Sequence, residues 1–149
     1  MSITHNENRT VRAIRGLLLA LFAFGVVGSS VELLLLEHTE DVWQLSPLIL
    51  MGLSVPAMVW LALDQRPVSV RVFQVMMLVY VASGLLGLYL HYRGNVEFEL
   101  EMYPGLSGVE LFWEALKGAT PSLAPGTMLV LGLLGLLYTF RHPALRDPE

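Results

Sequence analysis

Residues 72–90 read VFQVMMLVYVASGLLGLYL, a run with no charged side chain, bounded by Arg71 before it and His91 after it. At 1.5 Å per residue such a run makes a helix of about 28 Å, close to the ~30 Å of a bilayer's hydrocarbon core. A helix is the natural form at that depth, because it satisfies its own backbone hydrogen bonds where water cannot. Three further runs, roughly 14–36, 45–63 and 123–140, have the same character. The expectation is an all-α membrane protein, a four-transmembrane-helix bundle that occupies the whole chain as a single transmembrane domain.

Composition supports this reading. Of 149 residues, 54% are hydrophobic and only 15% charged, and the mean hydropathy of +0.60 is high for a water-soluble domain. Cysteine is absent, which excludes disulfides, thiolate zinc sites and iron–sulfur clusters. The net charge is −4 and the basic residues are dispersed, so no stripe exists for nucleic acid. No Walker loop, GxGxxG, HExxH or GxSxG motif occurs.

The flanks of the runs set an orientation. Arg9, Arg12 and Arg15 precede the first, Arg66 and Arg71 separate the second from the third, and Arg141 and Arg146 follow the fourth. The opposite flanks hold Arg93 and Lys117 among Glu37, Glu40, Asp41, Glu97, Glu99, Glu101, Glu110 and Glu114. The positive-inside rule then expects a multi-pass protein of the plasma (inner) membrane with both termini cytoplasmic. The start imitates a secretory signal, with Gly28, Ser29 and Ser30 after an apolar core, but the apolar stretch resumes at 31–36 and favours a retained helix. Residues 1–8 are expected to be disordered, and the segment after Arg141 to be a short tail.

The outer loop, 91–122, is long for a connection between packed helices. Ser107 and Glu110 have capping-box spacing, Leu106 and Leu111 occupy staple positions, and Gly118 suits a C-terminal cap. A helix over 108–117 would place Val109, Phe112, Trp113 and Leu116 on one face, the pattern of a helix lying in the membrane interface. Before it, 96–102 alternates apolar residues with Glu97, Glu99 and Glu101. Three placements stay open for that segment: a strand paired with another chain, a flat interfacial stretch, or a continuation of the third helix with only Glu97 and Glu101 sharing a face.

Within the spans, Gly25, Gly28, Ser29 and Glu32 fall on one helical face, so Glu32 is expected to point at protein and is the candidate proton or cation site. Met77, Tyr80, Gly84, Gly87 and His91 form one stripe of the third helix, and Gly132, Gly135, Thr139 and His142 one of the fourth, read as packing seams. Pro56 removes a donor from the second helix and predicts a kink over 52–56. Trp43, Tyr89, Tyr92, Tyr103 and Trp113 would form an outer aromatic belt, with Trp60 and Tyr138 near the inner boundary.

The candidate metal set is Glu37, His38, His91, Glu97, Glu99 and Glu101, all on the outer side, suited to a divalent metal or, through the two histidines, to haem. Its rival is a solvated acidic rim. His5 and His142 fall on the other side. Three functions follow: an accessory or scaffold subunit that forms a homo-oligomer or binds a partner membrane protein or divalent cations; a proton or cation transporter or channel using Glu32; and a metal- or haem-dependent membrane enzyme. The first best fits the small size and the long outer loop.

Overall fold

The computed structural model describes residues 2–145, and of residues 2–8 the backbone alone. Helices α1 (Ser2–Leu35), α2 (Val42–Leu63), α3 (Pro67–Met102), α4 (Gly108–Lys117) and α5 (Gly126–Thr139) follow one another, and a 3₁₀ turn at Pro143–Leu145 closes the described chain. Among the described residues there is no strand. The start and end of the described chain lie at one end of the bundle, and α4 lies at the other. Arg146 and the side chain of His5 fall outside the described residues.

Prolines punctuate these elements. Pro67 opens α3 at a position where a missing N–H is harmless, and Tyr103, the residue before Pro104, is where α3 stops. Inside α2, Pro47 leaves the carbonyl of Trp43 without its helical donor, and the Ser46 hydroxyl donates to it at 2.8 Å. Asp41 caps α2 by accepting from the Gln44 N–H at 2.8 Å, and the Gln44 side chain accepts from the Glu40 N–H at 2.8 Å. In the α2–α3 turn, the Arg66 guanidinium grips both Asp64 oxygens at 2.8 Å and holds that carboxyl below its ordinary pKa.

α3 is the central element. It packs along α5 and α2, and α1 closes the group mainly through α5. Phe22 of α1 wedges between α3 side chains, 5.4 Å from Phe73 in an edge-on contact and 5.8 Å from Tyr80. Tyr80 is fully buried, and its hydroxyl donates to Ser54 Oγ at 2.8 Å, joining α3 to α2. Arg15 of α1 donates to three carbonyls at the end of α5, those of Tyr138 (3.3 Å), Phe140 (3.0 Å) and Arg141 (3.0 Å). A guanidinium there meets both the orphan carbonyls and the negative end of the helix dipole.

Glycines set the closest approach. A Cβ added at Gly84 would lie 2.6 Å from the backbone nitrogen of Leu129, and one at Gly132 would lie 2.8 Å from the Met77 carbonyl oxygen. At Gly87 it would meet Pro125 at 2.7 Å, and at Gly135 it would overlap Met77. α3 and α5 therefore touch backbone to backbone, which only residues without side chains permit.

Among the described residues three helices are long and apolar enough to cross a membrane: α1 over Arg9–Leu35, α2 and α3. Only 11% of the most apolar stretch of α1 is buried within the fold, so large side chains such as Phe24 and Leu35 face outward, a surface compatible with lipid. α5, expected over 123–140, is 14 residues long, about 21 Å of helix. Pro121 and Pro125 account for the lost turns, since the chain passes them in tight turns before the helix begins. α1 also begins earlier than expected, at Ser2, because a nucleated helix adds one hydrogen bond for each residue it fixes.

Candidate functional site at the α4 end

α3 runs on for 36 residues, about 54 Å, well past the length a bilayer needs. Of the three placements open to 96–102, the structure takes the helical one, so Glu97 and Glu101 share a face and Glu99 lies on another. α4 packs against this projecting part of α3.

One amide holds the unit together. Asn95 is 1% exposed. Its Nδ2 donates toward the carbonyls of Ala115 (3.0 Å) and Thr120 (2.7 Å) and toward Ser122 Oγ (2.9 Å), and its Oδ1 accepts from the Thr120 N–H (3.0 Å) and hydroxyl (2.7 Å). Ser122 Oγ in turn donates to the Ala115 carbonyl at 3.2 Å. The end of α4 and the following loop are thus tied to a single side chain of α3. Sequence reasoning missed Asn95, Thr120 and Ser122. The available signal was an Asn in a helix interior, where its side chain ordinarily competes with the backbone.

One expectation for α4 needs correction. Ser107 occupies the N-cap position, but its hydroxyl makes no capping bond, because Gly108 sits at φ +59° and takes the first turn out of capping-box geometry. Gly118 is the C-cap residue, its N–H turned to the Ala115 carbonyl, but with φ −54° it is not left-handed; what demands glycine is Asn95, whose Cγ would lie 2.6 Å from an added Cβ. α4 presents Ala115, fully buried, to α3, while Val109, Phe112 and Trp113 stay exposed and Leu116 is half-buried. Phe112 meets Tyr92 in a tilted contact at 5.8 Å and Trp113 edge-on at 5.4 Å, so the exposed face is a continuous aromatic surface.

The candidate metal ligands are only partly brought together. Glu37, at φ +54°, turns the chain at the end of α1, and the next residue, His38, comes to 6.2 Å from His91 between ring centroids. His91 Nδ1 lies 3.1 Å from the Pro121 carbonyl, an acceptor only, so Nδ1 carries a hydrogen. The carboxylates do not join the pair: Glu97 is engaged by Arg93 at 2.8 Å, and Glu101 is exposed on the same face. Among the described residues no group of three His, Cys, Asp or Glu side chains could hold a metal ion. The reason is the helical course of 96–102, which turns each successive carboxylate about 200° from the one before instead of aligning all three.

Glu32 is also placed differently from expectation. It is exposed, and its carboxylate has no partner among the described residues. The seam of α1 runs through Phe22, Gly25 and Val26, and toward the α4 end it shifts to Ser30, whose hydroxyl contacts Met51 Sδ at 3.2 Å. That shift leaves Gly28, with nothing within 4 Å of an added Cβ, and Glu32 on the open side; Ser29 is half-buried.

His38 gives a pH prediction. Burial lowers its pKa below the ordinary 6.5, the charge of His91 lowers it further, and Asp41 pulls the other way. The unfolded chain therefore binds a proton at His38 before the folded one does. Stability is full above pH 6.5 and falls as pH drops through the lower folded value. Unfolding in detergent should show a smaller acid loss for His38→Gln than for wild type down to about pH 5; identical pH slopes would refute the assignment.

No protein-family model matches the chain, and no curated protein or solved structure is significantly similar to it.

Proposed function

We propose that the chain is a four-span protein of the plasma (inner) membrane with both termini cytoplasmic, and that it acts as a small accessory or scaffold subunit. Its outer unit, the end of α3 with α4, is the platform on which a partner membrane protein docks. The observation that carries the reading is the Asn95 network: five polar contacts fix α4 so that the aromatic face of Phe112 and Trp113 is held outward rather than folded in. Rigid aromatic groups presented from a fixed backbone are what interface centres use. In this reading α5 crosses with help from the turns on either side of it, a mismatch that local thinning of the bilayer accommodates.

The cysteine-free chain makes topology directly readable. An impermeant maleimide on intact cells should label Ser107→Cys and leave Gln65→Cys unlabelled; the reverse pattern would invert the orientation. Docking is tested by a photo-crosslinking residue at Phe112 or Trp113 in native membranes, with Val68 at the far end as control. A discrete protein adduct at the α4 positions alone supports the platform. Lipid adducts only would reduce α4 to an interfacial anchor and sink the partner reading.

A further inference from the structure

At the end of the bundle that holds the termini, a recess of about 920 Å³ opens between the start of α1 and the ends of α2 and α5. Its polar lining is Arg9, Arg12, Arg15, Gln65, Tyr138 and His142, and among the described residues no carboxylate contributes to it. The nearby acid of the α2–α3 turn, Asp64, is already engaged by Arg66. Arg9 and Arg12 are exposed and have no ion-pair or hydrogen-bond partner among the described residues. Arg15 is anchored: three of its five N–H donors are spent on the α5 carbonyls, which fixes the plane of the guanidinium at the recess wall. His142 is 3% exposed, and its Nδ1 accepts from the Ala144 N–H at 3.3 Å, so the neutral ring carries its hydrogen on Nε2. Leu19 and Ala62 supply an apolar wall that continues into the lipid-compatible flanks of α1 and α2.

We propose that this recess binds the phosphate of an anionic phospholipid headgroup. Three like charges converging on one cavity repel one another, and an anion relieves that repulsion. Guanidinium groups match phosphate oxygens with paired, charge-assisted hydrogen bonds. The depth is that of a headgroup: Arg15 stands immediately before the apolar run that begins after Gly16, and the apolar wall offers the acyl chain a continuous path. The assignment of a lipid rather than a soluble phosphate rests on the membrane reading above.

The test is native mass spectrometry of the full chain released from detergent, with phosphatidylglycerol, phosphatidylcholine or glycerol 3-phosphate added. Wild type should retain phosphatidylglycerol about tenfold more than phosphatidylcholine, and Arg9→Gln/Arg12→Gln should abolish the preference without changing the phosphatidylcholine signal. Both residues are exposed and have no partner among the described residues, so the variant keeps the fold, which its unfolding temperature checks. Equal retention of the two lipids by wild type, or an unchanged preference in the variant, overturns the proposal. Stripping of the lipid by glycerol 3-phosphate at equal concentration overturns the lipid assignment in favour of a soluble phosphate ester. Failure of the membrane reading is visible separately, as release of the chain from the membrane fraction without detergent.

Discussion

Replacing Asn95 with leucine is expected to free α4 from α3 while the α3–α5 core stays folded. The substitution removes every partner of the Ala115 and Thr120 carbonyls, the Thr120 N–H and hydroxyl, and the Ser122 hydroxyl that Asn95 now supplies. The Ala115 carbonyl and the Ser122 hydroxyl keep their bond to each other and exposed Thr120 turns to water, so the loss is about 1–3 kcal/mol, and it falls on the docking of a ten-residue helix. Hydrogen exchange should therefore rise across 108–122 with little change in 126–139. Asn95→Asp separates the two halves of the amide. It keeps the acceptor for Thr120 but turns the donor side into a carboxylate facing the Ala115 and Thr120 carbonyls, and should open the same segment. Protection at 108–122 equal to wild type in both variants would show that the network does not hold the unit.

The second large effect belongs to the α3–α5 contact. Gly132→Val should lower stability by about 3 kcal/mol or more, because the new side chain meets backbone of α3 at Met77 and Val81 instead of a flexible group that could swing aside. Gly84→Ala tests the reciprocal position, where the obstacle is the backbone of Leu129. There the clash outweighs the roughly 1 kcal/mol that alanine gains over glycine in a helix. Gly28→Ala is the contrast: with open space around it, only the propensity gain acts, and stability in detergent should hold or rise. If all three variants unfold together with wild type, the backbone approach of α3 to α5 is wrong.

The contrast between these glycines also shows what could be read from the chain. Gly84, Gly87, Gly132 and Gly135 lie at helical spacing inside apolar runs, and spacing alone identifies a close-packing face when two helices run side by side over their whole overlap. Gly28 and Glu32 have the same spacing relative to Gly25, yet α1 exchanges one neighbour for another along its length, and a single-helix wheel cannot show that. The limits of α4 were legible from Ser107 and Gly118, whereas the contacts made at those ends were not, since Gly108 and Gly118 answer to a left-handed turn and to Asn95. Asn95 itself stayed hidden because its partners lie 20 to 27 residues away and include carbonyls, which leave no mark in a sequence. The histidines at the α4 end could be named as a pair. The carboxylates could not be assigned to them, because the alternation over 96–102 fits a strand and a helix alike until the helix is seen to continue.

The unbroken course of α3 has a mechanical consequence. α4 hangs on one end of this rod, and the other end is clasped among helices whose termini are tethered by Arg15. A rigid rod about 54 Å long that pivots by about 5° carries its far tip roughly 5 Å sideways. A small rocking at one end of the bundle would thus become a displacement of the aromatic face of α4 comparable to one helical turn, with no proline in α3 after Pro67 to break the helix between the two.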